Sequence, residues 1–405
     1  MGGASGGHEA EVAVVGGGPA GLAAAIVLAG ARIPTVLIAP PPPASDNRTT
    51  ALLAGSVNAL EAIGVWSRCR AEAAPLRVMR IVDDTRRLWR APEVKFDATE
   101  IGLEAFGWNI ENQRLLAALN ARAREIPDLV RIDEQAAAVT IRDADVTISL
   151  AGGATRTVRL VVAADGRRSI CRAAAGIDTT QHSYPQTALT LNLTHTRPHH
   201  YISTEFHTEH GPFTLVPLPG LRSSLVCVVA PEEAERLGGL DAAALDQEIE
   251  RRAHSILGKI RVEPGRGAFP LAIETARRFA DRRVALVGEA GHVMPPIGAQ
   301  GLNLGLRDAA TIGELAVAAR RRGADIGGDA VMDDYDRRRR ADVASRTLVV
   351  DLLNRTLLSD FLPAQSVRGF GMYLLDRIGP LRRTLMREGV APRVPQPRLM
   401  RGEAL

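Results

Sequence analysis

Residues 283–310 read RVALVGEAGHVMPPIGAQGLNLGLRDAA and combine a strand, a loop and the start of a helix in one segment. The apolar run Val284–Val287 predicts a buried strand, a loop rich in glycine and proline follows, and a helix is expected to begin near Gly301. Glycines let a backbone approach a flat ligand closely, and the two prolines fix φ and remove N–H donors that would need partners. A helix that begins after such a loop offers a site for a negatively charged or electron-rich group. The alternative is a tight strand-to-helix connection without a ligand.

A glycine-rich turn near the amino end forms another strand-to-helix junction. Residues 16–21 read GGGPAG and lie between a strand predicted at Glu11–Val15 and an alanine-rich helix. In a G-x-G-x-x-G turn, Gly16 permits the tight turn, Gly18 lets the backbone reach a pyrophosphate, and Gly21 lets the helix pack on the strand. The pattern predicts dinucleotide binding, and a glycine-rich turn without a ligand is the alternative.

The ribose-binding acid that such a unit usually carries is missing from its expected position. The second strand is predicted at Thr35–Ile38, but Ala39 follows it and leads into the proline run Pro40–Pro43. Either Asp46 replaces this acid from further along the chain, or another group holds the ribose.

A third junction lies in the middle of the chain. Leu160–Ala163 predicts a buried strand, and Asp165, Gly166, two arginines and a helix follow. An acid at the carboxyl end of a strand, beside a helix N-terminus, is placed to hydrogen-bond ribose hydroxyls or to orient bound phosphates. A plain Asp-Gly turn is the alternative. Three different junctions of this kind in one chain favour a ligand-binding α/β fold.

Size and composition are those of a globular protein with two coupled domains. The chain has 405 residues, of which 46% are hydrophobic and 24% charged. Cys69, Cys171 and Cys227 are scattered without a disulfide pattern or metal-ligand spacing, as is typical of a reducing compartment. The amino-terminal residues lack the features of a signal peptide, and no run of about 18 uncharged apolar residues occurs. We therefore expect a cytoplasmic protein without a membrane-spanning helix.

Charge is distributed unevenly along the chain. The net charge is +4, but residues 337–405 contain 14 Arg, no Lys and 6 acidic residues, which gives +8. An apolar stripe runs along the same predicted helical tail and includes Val349, Leu352, Leu353, Leu357, Phe361 and Leu362. We expect this stripe to dock on its own domain, to rest on a membrane surface or to contact a partner subunit. Little aromatic interleaving accompanies the arginines, so nucleic acid is not an expected partner.

The segments between the junctions are assigned from their periodicity. Helices are predicted at Ala51–Ile63 and Asn109–Ala123, and strands within Leu76–Leu88. From Gln186 to Pro270, short strands separated by turn residues predict a second domain, mostly of antiparallel sheet, which also contains a helix at Ala242–Ile256. Five of the histidines in this region show no metal-ligand order, so no metal site is predicted: His195, His199, His200, His207 and His210.

The order of the three junctions carries a family resemblance. A G-x-G-x-x-G turn early, Asp-Gly in the middle and a late G-[DE]-A-x-H-x-x-x-P loop resemble the class A flavoprotein monooxygenases, which have the fold of para-hydroxybenzoate hydroxylase. Within this class, the chain most resembles the hydroxylases of ubiquinone biosynthesis (UbiH/UbiF type). The segments that resemble this subgroup are Arg48–Leu52, Trp108–Asn112, Gln300–Gly305 and Leu357–Asp360.

The resemblance implies an α/β fold with a second, α+β layer. A Rossmann-like FAD-binding domain would carry an inserted, mainly antiparallel β-sheet substrate domain and a C-terminal helical arm. The implied FAD-binding domain comprises residues 1–75, 101–178 and 271–340, the substrate domain residues 76–100 and 179–270, and the helical region residues 341–405.

The resemblance also implies roles for particular residues. Those implied to bind the cofactor are Gly16, Gly18, Ala20, Gly21, Arg48, Gln113, Asp165, Gly166, Glu289, Gly298, Gln300, Gly301, Leu302 and Asn303. His292, Pro295 and Pro296 are the implied catalytic residues, although a structural hydrogen bond explains His292 as well. Two of these positions depart from the family pattern, because the family usually has Asp where Glu289 stands and often has Arg where Gln113 stands.

The chemistry that the resemblance implies belongs mostly to the cofactor. NADPH or NADH would reduce FAD, O₂ would add at flavin C4a, and the resulting hydroperoxide would hydroxylate the ring of a polyprenyl phenol on the way to ubiquinone. The expected partners are this substrate, other ubiquinone-biosynthesis proteins, a second copy of the chain in a dimer, and the inner face of the membrane through peripheral contact. Two alternatives remain, namely a hydroxylase of a small soluble phenol and a non-catalytic assembly subunit of a ubiquinone-synthesis complex.

Overall fold

The computed structural model describes residues 10–42, 46–85, 91–296, 299–358, 379–390 and 396–405, with side chains described except at 348–358, 381, 385 and 387–390. In chain order the strands are β1 (Val12–Val15), β2 (Thr35–Ile38), β3 (Thr49–Leu53), β4 (Ala73–Pro75), β5 (Val78–Asp83), β6 (Val94–Asp97), β7 (Gly107–Glu111), β8 (Leu129–Ile132), β9 (Ala136–Ile141), β10 (Val146–Leu150), β11 (Thr155–Val158), β12 (Leu160–Ala163), β13 (Thr179–His195), β14 (Ile202–Thr208), β15 (Gly211–Leu218), β16 (Arg222–Val229), β17 (Ile260–Val262), β18 (Gly267–Ala276), β19 (Ala280–Asp281), β20 (Val284–Leu286) and β21 (His292–Val293). The helices are α1 (Pro19–Gly30), α2 (Ala54–Ala62), α3 (Asn112–Ala123), α4 (Ile170–Ala174), α5 (Pro231–Gly239), α6 (Ala242–Arg252), α7 (Gln300–Arg321), α8 (Asp329–Leu358) and α9 (Gly379–Val390).

A six-stranded sheet, the nucleotide sheet, has the order β19-β20-β12-β1-β2-β8. All its pairs are parallel except β19 with β20. Strands β1, β2, β12 and β20 are buried along their whole length, as expected of parallel strands that are covered on both faces. Because β1, β12 and β20 are adjacent and parallel, the three junctions that follow them lie at the same edge of the sheet.

A nine-stranded sheet, the roof sheet, forms the second layer. Its order is β21-β18-β13-β16-β15-β14-β5-β6, and β17 pairs with β13 at its side. Its pairs are antiparallel except β14 with β5, which is parallel, so the predicted antiparallel sheet is confirmed with one exception. Helices α5 and α6 cover one face and share an apolar cluster with it, which includes Leu191, Leu225, Leu237 and Ile249. The residue boundaries of the two domains stay a prediction.

Two long strands connect the nucleotide and roof sheets. Strand β13 extends over 17 residues and starts shortly after α4. It pairs with β18 from Thr179 opposite Ala276 to Thr190 opposite Gly267, with a register shift between Ser183 and Thr187. Strand β18 leads back directly into β19 and β20. The β13–β18 ladder is therefore a continuous connection between the two layers.

Two predicted helices begin later than the sequence pattern indicated. Residues 51–53 belong to strand β3, and α2 begins only at Ala54; likewise residues 109–111 belong to β7, and α3 begins at Asn112. The two strands pair with each other, Ala51 opposite Asn109. This pairing joins residues far apart in the chain, and tertiary pairing overrides the local helix preference of alanine and leucine.

The carboxyl-terminal helices pack against both sheets, α8 against the nucleotide sheet and α9 against β6 of the roof sheet. In α8, the Tyr335 hydroxyl donates to the Leu286 carbonyl at 2.6 Å, and Asp336 accepts from the Phe279 N–H at 2.7 Å. The predicted apolar stripe falls partly on this helix, but side chains from residue 348 onward, and residues 361 and 362 altogether, lie outside the described part. In α9, Met386 is buried in a cluster with Val94, Phe96 and Phe106. None of the described helices combines the length and apolarity needed to cross a bilayer.

Candidate active site

The glycine-rich turn after β1 has two glycines whose geometry excludes a side chain. Gly16 has φ +115°, and a Cβ there would lie within 3.0 Å of the Ala164 carbonyl group. A Cβ on Gly21 would likewise lie within 3.0 Å of the Gly16 carbonyl oxygen. Gly18, in contrast, is exposed, has φ −69° and has open space where a Cβ would stand. Gly16 and Gly21 thus shape the turn, whereas the space beside Gly18 at the start of α1 is available to an anionic ligand.

The three junctions meet at this turn. Ala164, after β12, contacts Gly16 as described, and the Val287 N–H donates to the Ala163 carbonyl at 2.8 Å. On the other side, a Cβ placed on Gly288 or Gly305 would touch the Ala20 side chain, at 3.5 and 3.0 Å. The structure therefore brings together the glycine residues of the first and third junctions with the strand end of the second.

Asp165, at the second junction, has an oxygen that lacks a partner. Its Oδ2 accepts from the Cys171 N–H at 3.2 Å, while its buried Oδ1 has no hydrogen-bond partner among the described residues. A buried acceptor is costly unless it is satisfied, and a hydroxyl of the ribose or ribityl chain of FAD would satisfy it. Arg172 fixes this junction to the third one, because it donates to the Ala290 carbonyl at 2.8 Å. The open space at Gly18 and the orphaned Asp165 oxygen together fit FAD.

The end of β2 has a cation nearby where an acid was expected. Arg131, at the end of the neighbouring β8, donates to the Pro40 carbonyl at 3.3 Å and to Asn120 Oδ1 at 3.0 Å. The sequence analysis missed Arg131, because only the sheet order places β8 beside β2. Asp46 is engaged elsewhere, since it binds Arg48 through both carboxylate oxygens at 2.9 and 2.8 Å.

Two cavities adjoin the loop after β20. The Arg48 cavity, of about 380 Å³, is lined by Arg48, Arg167, Glu289 and parts of β13, β16 and β18. The Phe106 cavity, of about 300 Å³, is lined by Phe106, Glu205, residues 299–302 and parts of β3, β14, β15 and β16. They share six lining residues, namely Thr49, Ser224, Val226, Met294, Pro295 and Pro296. The two predicted prolines therefore stand between two spaces, one with charged walls and one mostly apolar.

Arg48 and Glu289 lie on the wall of the Arg48 cavity. The bidentate contact with Asp46 orients the guanidinium of Arg48, and this hydrogen bond raises the pKa of Arg48 above its ordinary value. Burial alone would raise the pKa of Asp46, but the hydrogen bonds from Arg48 outweigh it and lower this pKa. Glu289 is exposed within the same lining. A polar chain that carries hydroxyl groups finds both donors and acceptors here.

The Glu289→Ala substitution is expected to weaken FAD binding about tenfold or more, because a hydrogen bond to a charged group contributes about 1.5–3 kcal/mol. Fluorescence titration of the apoprotein with FAD measures this. Glu61→Ala, at an exposed position of α2, is the control and should leave the affinity unchanged. Equal affinities for the Glu289→Ala variant and the unchanged chain would contradict a contact of Glu289 with the cofactor.

His292 lies in a buried polar cluster and lines neither cavity. Its side chain is 1% exposed, and its Nε2 lies 2.7 Å from Asp308 Oδ2. Asp308 also accepts from the Gly288 N–H at 2.8 Å and from Arg339 Nε at 2.5 Å. His292 was considered for a catalytic and for a structural role. This geometry favours the structural role, because the contact of the ring with Asp308 fixes the loop after β20 to α7.

The remaining predicted residues have different positions. Gln300, Gly301 and Leu302 line the Phe106 cavity. The Asn303 side chain is engaged in the fold, because it accepts from the Leu53 N–H at 2.9 Å and donates to the Ala51 carbonyl at 2.8 Å. Gln113 is exposed in the first turn of α3 and lines neither cavity. Gly298 lies outside the described residues, and Gly166 has φ +80° in the turn beside Asp165.

The buried cluster around Asp308 was missed by the sequence analysis. It consists of His292, Asp308, Arg339, Asp342 and Arg307, and the first four side chains are at most 3% exposed. One signal was present in the sequence, because Arg307 and Asp308 stand among the small and apolar residues of α7, where a charged pair is unexpected unless it has partners. Within the described ranges, no group of three His, Cys, Asp or Glu residues is arranged to hold a metal ion.

Known proteins are similar to this chain over almost its whole length. A sequence profile of the FAD binding domain matches residues 9–349. The ubiquinone hydroxylase UbiL of Rhodospirillum rubrum is 35% identical, over 98% of this chain and 94% of that protein. The 3-demethoxyubiquinol 3-hydroxylase of Escherichia coli is 30% identical, over 93% of this chain and 97% of that protein. Among solved structures, p-nitrophenol 4-monooxygenase PnpA of Pseudomonas putida has a TM-score of 0.78 at 21% identity, over 95% of this chain and 99% of that one.

The fold and the site define a class A FAD-dependent monooxygenase. The chain belongs to the FAD binding domain family, in the branch that contains these ubiquinone hydroxylases. The family resemblance predicted from the three junctions and the predicted fold class are thereby confirmed.

Proposed function

We propose that this protein hydroxylates the aromatic ring of a polyprenyl phenol in ubiquinone biosynthesis, with FAD as cofactor, NADPH or NADH as electron donor and O₂ as co-substrate. The proposal rests on the Phe106 cavity, a mostly apolar space that adjoins the loop after β20, hereafter the flavin loop, and has a carboxylate in its wall. When bound, FAD supplies the redox chemistry, which moves electrons from the nicotinamide to O₂ and inserts one oxygen atom into the ring.

The residues of this chain bind and orient the reactants. Gly18 and the start of α1 receive the pyrophosphate, the Asp165 Oδ1 atom accepts from a cofactor hydroxyl, and Arg48 and Glu289 contact the adjoining polar part. Pro295 and Pro296 bring a wall without N–H donors to the border of the two cavities, so water has few partners there. Exclusion of water protects a reactive oxygen species until the ring is in place.

The size of the Phe106 cavity indicates how the substrate lies. About 300 Å³ is at the low end of small-molecule sites and accommodates a substituted ring, but not a long prenyl tail as well. Met79 lines the cavity and is 42% exposed, so the cavity reaches the surface at this residue. The tail would leave there, near α9 and the buried Met386. The net positive charge of residues 337–405 favours peripheral contact with an anionic membrane surface.

The cofactor and the reaction are tested together on the full chain. The purified protein should show the absorption bands of oxidised flavin, and these should bleach when NADPH or NADH is added without air. Admission of air with a prenylated phenol should then yield a product heavier by one oxygen atom, whereas a reaction without the phenol serves as control. A colourless protein that takes up no added FAD, or a flavoprotein that returns the phenol unchanged, would contradict the proposal and direct attention to an assembly subunit.

The Met79→Glu substitution tests the path of the tail. We expect KM for a long-chain prenyl phenol to rise about tenfold, because a charge at the opening opposes passage of an apolar chain, while KM for a short-chain analogue stays unchanged. Leu221→Glu, at an equally exposed apolar residue of the β15–β16 turn, is the matched control. Steady-state rates with both substrates give the comparison, and equal effects on long and short substrates would argue against an opening at Met79.

A further inference from the structure

Glu205 supplies the ionisable side chain in the wall of the Phe106 cavity. Within the part of the chain that the structure describes, the other lining residues are apolar, hydroxyl or amide residues or glycine. Glu205 stands in the middle of β14 and, with Ser203 two positions earlier, points toward the cavity from the face of the roof sheet. A carboxylate in a mostly apolar wall is costly to desolvate, so its presence there calls for a partner.

Two neighbours hold the Glu205 carboxylate in place. His207 Nε2 lies 2.7 Å from its Oε1 atom, and the Thr214 hydroxyl donates to Oε2 at 3.2 Å. Thr214 is directly opposite Glu205 on β15, and His207 follows on the same face of β14. The Glu205 side chain nevertheless keeps 29% of its surface accessible, so the carboxylate is anchored from one side and open on the other.

The charged groups around this pair come from the adjacent strands. His207 is the titratable group that faces Glu205 among the described side chains. On the other side of β14, Ile81 of β5 stands opposite Glu205, and Asp83 stands opposite His207. Asp83 accepts from the Thr85 N–H and the Ala91 N–H, at 3.1 and 2.9 Å. Burial raises the pKa of Glu205, but the hydrogen bond and charge of His207 and the Thr214 hydroxyl lower it by more, so the carboxylate is ionised at working pH.

We propose that Glu205 accepts the hydrogen bond of the substrate's ring hydroxyl and that His207 is its positioning residue; this inference rests on the proposed function. The phenol enters the cavity with its hydroxyl toward the open side of the carboxylate and its ring between the prolines and the roof sheet. In a water-poor wall, a hydrogen bond to an ionised acceptor is shorter and stronger than one to a neutral group. Glu205 therefore fixes which ring carbons face the flavin loop.

The same contact activates the ring. A phenol has a pKa of about 10 and a glutamic acid one of about 4.3, so the proton stays on the phenol oxygen before the reaction. As the ring gives electrons to the incoming oxygen atom, the hydroxyl becomes more acidic and its proton passes to the Glu205 carboxylate. The electron pair of the O–H bond remains on the ring oxygen and raises the electron density at the carbons ortho and para to it. When the ring regains aromaticity, the carbon that took the oxygen atom loses its proton to solvent, the electron pair of that C–H bond returns to the ring, and Glu205 gives its proton back to the ring oxygen and is again ionised.

The test compares Glu205→Gln with the unchanged holoenzyme. Glutamine keeps the shape but cannot accept the proton, so product formation at neutral pH should fall about 100-fold, within the range typical of a lost proton acceptor. The rate of the variant should then rise about tenfold per pH unit toward the pKa of the phenol, about 10, because the ionised substrate no longer needs Glu205. The unchanged protein should lack this rise. FAD content, melting temperature and flavin reduction by NADPH should be the same in both.

Two further variants complete the experiment. His207→Asn should lower product formation less than Glu205→Gln, because the acceptor remains but is poorly held. Glu235→Gln, on the exposed face of α5, is the control and should change nothing. A Glu205→Gln variant whose product formation equals that of the unchanged protein, or is lowered by the same factor at every pH, would overturn the inference and leave Glu205 and His207 as a structural pair.

A binding measurement separates this inference from the proposed function. A chromogenic phenol titrated into the oxidised holoenzyme should bind about tenfold more weakly to Glu205→Gln than to the unchanged protein. If the unchanged protein binds the phenol but does not hydroxylate it, the proposed function fails, while weaker binding by the variant still supports the hydroxyl contact. Equal binding by both proteins would contradict the contact between Glu205 and the ring hydroxyl, whether or not hydroxylation occurs.

Discussion

The Arg339→Met substitution should lower the free energy of unfolding by about 3–5 kcal/mol, which is the usual result of removing one partner of a buried ion pair. The Arg339 side chain is 2% exposed, and it donates to Asp308 Oδ1 at 2.5 Å and to Asp342 Oδ2 at 2.7 Å. Without it, the wholly buried Asp308 carboxylate loses its strongest partner. Burial raises the pKa of Asp308, and the charges of Arg339 and His292 now lower it below its ordinary value. Urea unfolding at neutral pH measures the loss.

Flavin binding should weaken in the same variant although Arg339 lines neither cavity. Asp308 accepts from the Gly288 N–H and from His292, which stand on either side of Glu289. Loosening Asp308 therefore loosens the loop that borders both cavities. Arg337→Met, two residues earlier on the same helix at a position that is 75% exposed, is the control and should stay within about 0.5 kcal/mol of the unchanged protein. The double variant Asp308→Asn/Arg339→Met should regain part of the stability, and a single Arg339→Met variant as stable as the control would contradict the structural role given to the cluster.

The second large effect is expected at the first junction, where two glycines two positions apart should respond differently. Gly16→Ala should destabilise the protein by about 2 kcal/mol or more, because the positive φ strains an L-residue and the new Cβ would meet the Ala164 carbonyl group. Gly18→Ala should cost about 0.5–1 kcal/mol, since φ −69° suits alanine and the Cβ has open space.

The Gly18→Ala substitution should affect the affinity for FAD much more than it affects the stability of the fold. In Gly18→Ala the folded protein remains, but the methyl group occupies space that a pyrophosphate would use, so the dissociation constant should rise about 100-fold. Thermal unfolding of the apoproteins and titration with FAD separate the two effects. A Gly18→Ala variant that binds FAD as tightly as the unchanged chain would show that the dinucleotide lies elsewhere.

The sequence revealed the parts of the fold whose signals are local. Glycine and proline at characteristic spacing indicate the turn at residues 16–21, the Asp165 junction and the loop after β20. Short apolar runs indicate the parallel strands. The first residues of the predicted helix at Ala51–Ile63 form β3 instead, because their partner β7 is distant in the chain. A Cβ on Gly107 would lie within 3.0 Å of the Leu52 carbonyl oxygen, so the pairing also explains this glycine, but only after the fold is known.

Positions where a glycine backbone would approach a ligand could be proposed from the sequence, whereas side chains that act in pairs could not be recognised from it. Asp46 was considered for the ribose, yet its partner is Arg48, two residues away. In the sequence, Glu205 and His207 look like any other polar residues of a strand. Glu205 stands out only in the folded chain, where β3, β14 and the flavin loop enclose the Phe106 cavity that it lines. Asp308 and Arg339 stand on different helices, so no spacing rule could join them.

The β13–β18 ladder has a mechanical consequence. Because β13 pairs with β18, and β18 leads on to β19 and β20 of the nucleotide sheet, a displacement of the roof sheet is expected to be transmitted to the nucleotide sheet. Met79, which lines the Phe106 cavity and is 42% exposed, is then the expected place of access to the space between the layers. We therefore expect the two layers to unfold together, so that a destabilising substitution in the roof sheet also destabilises the dinucleotide turn.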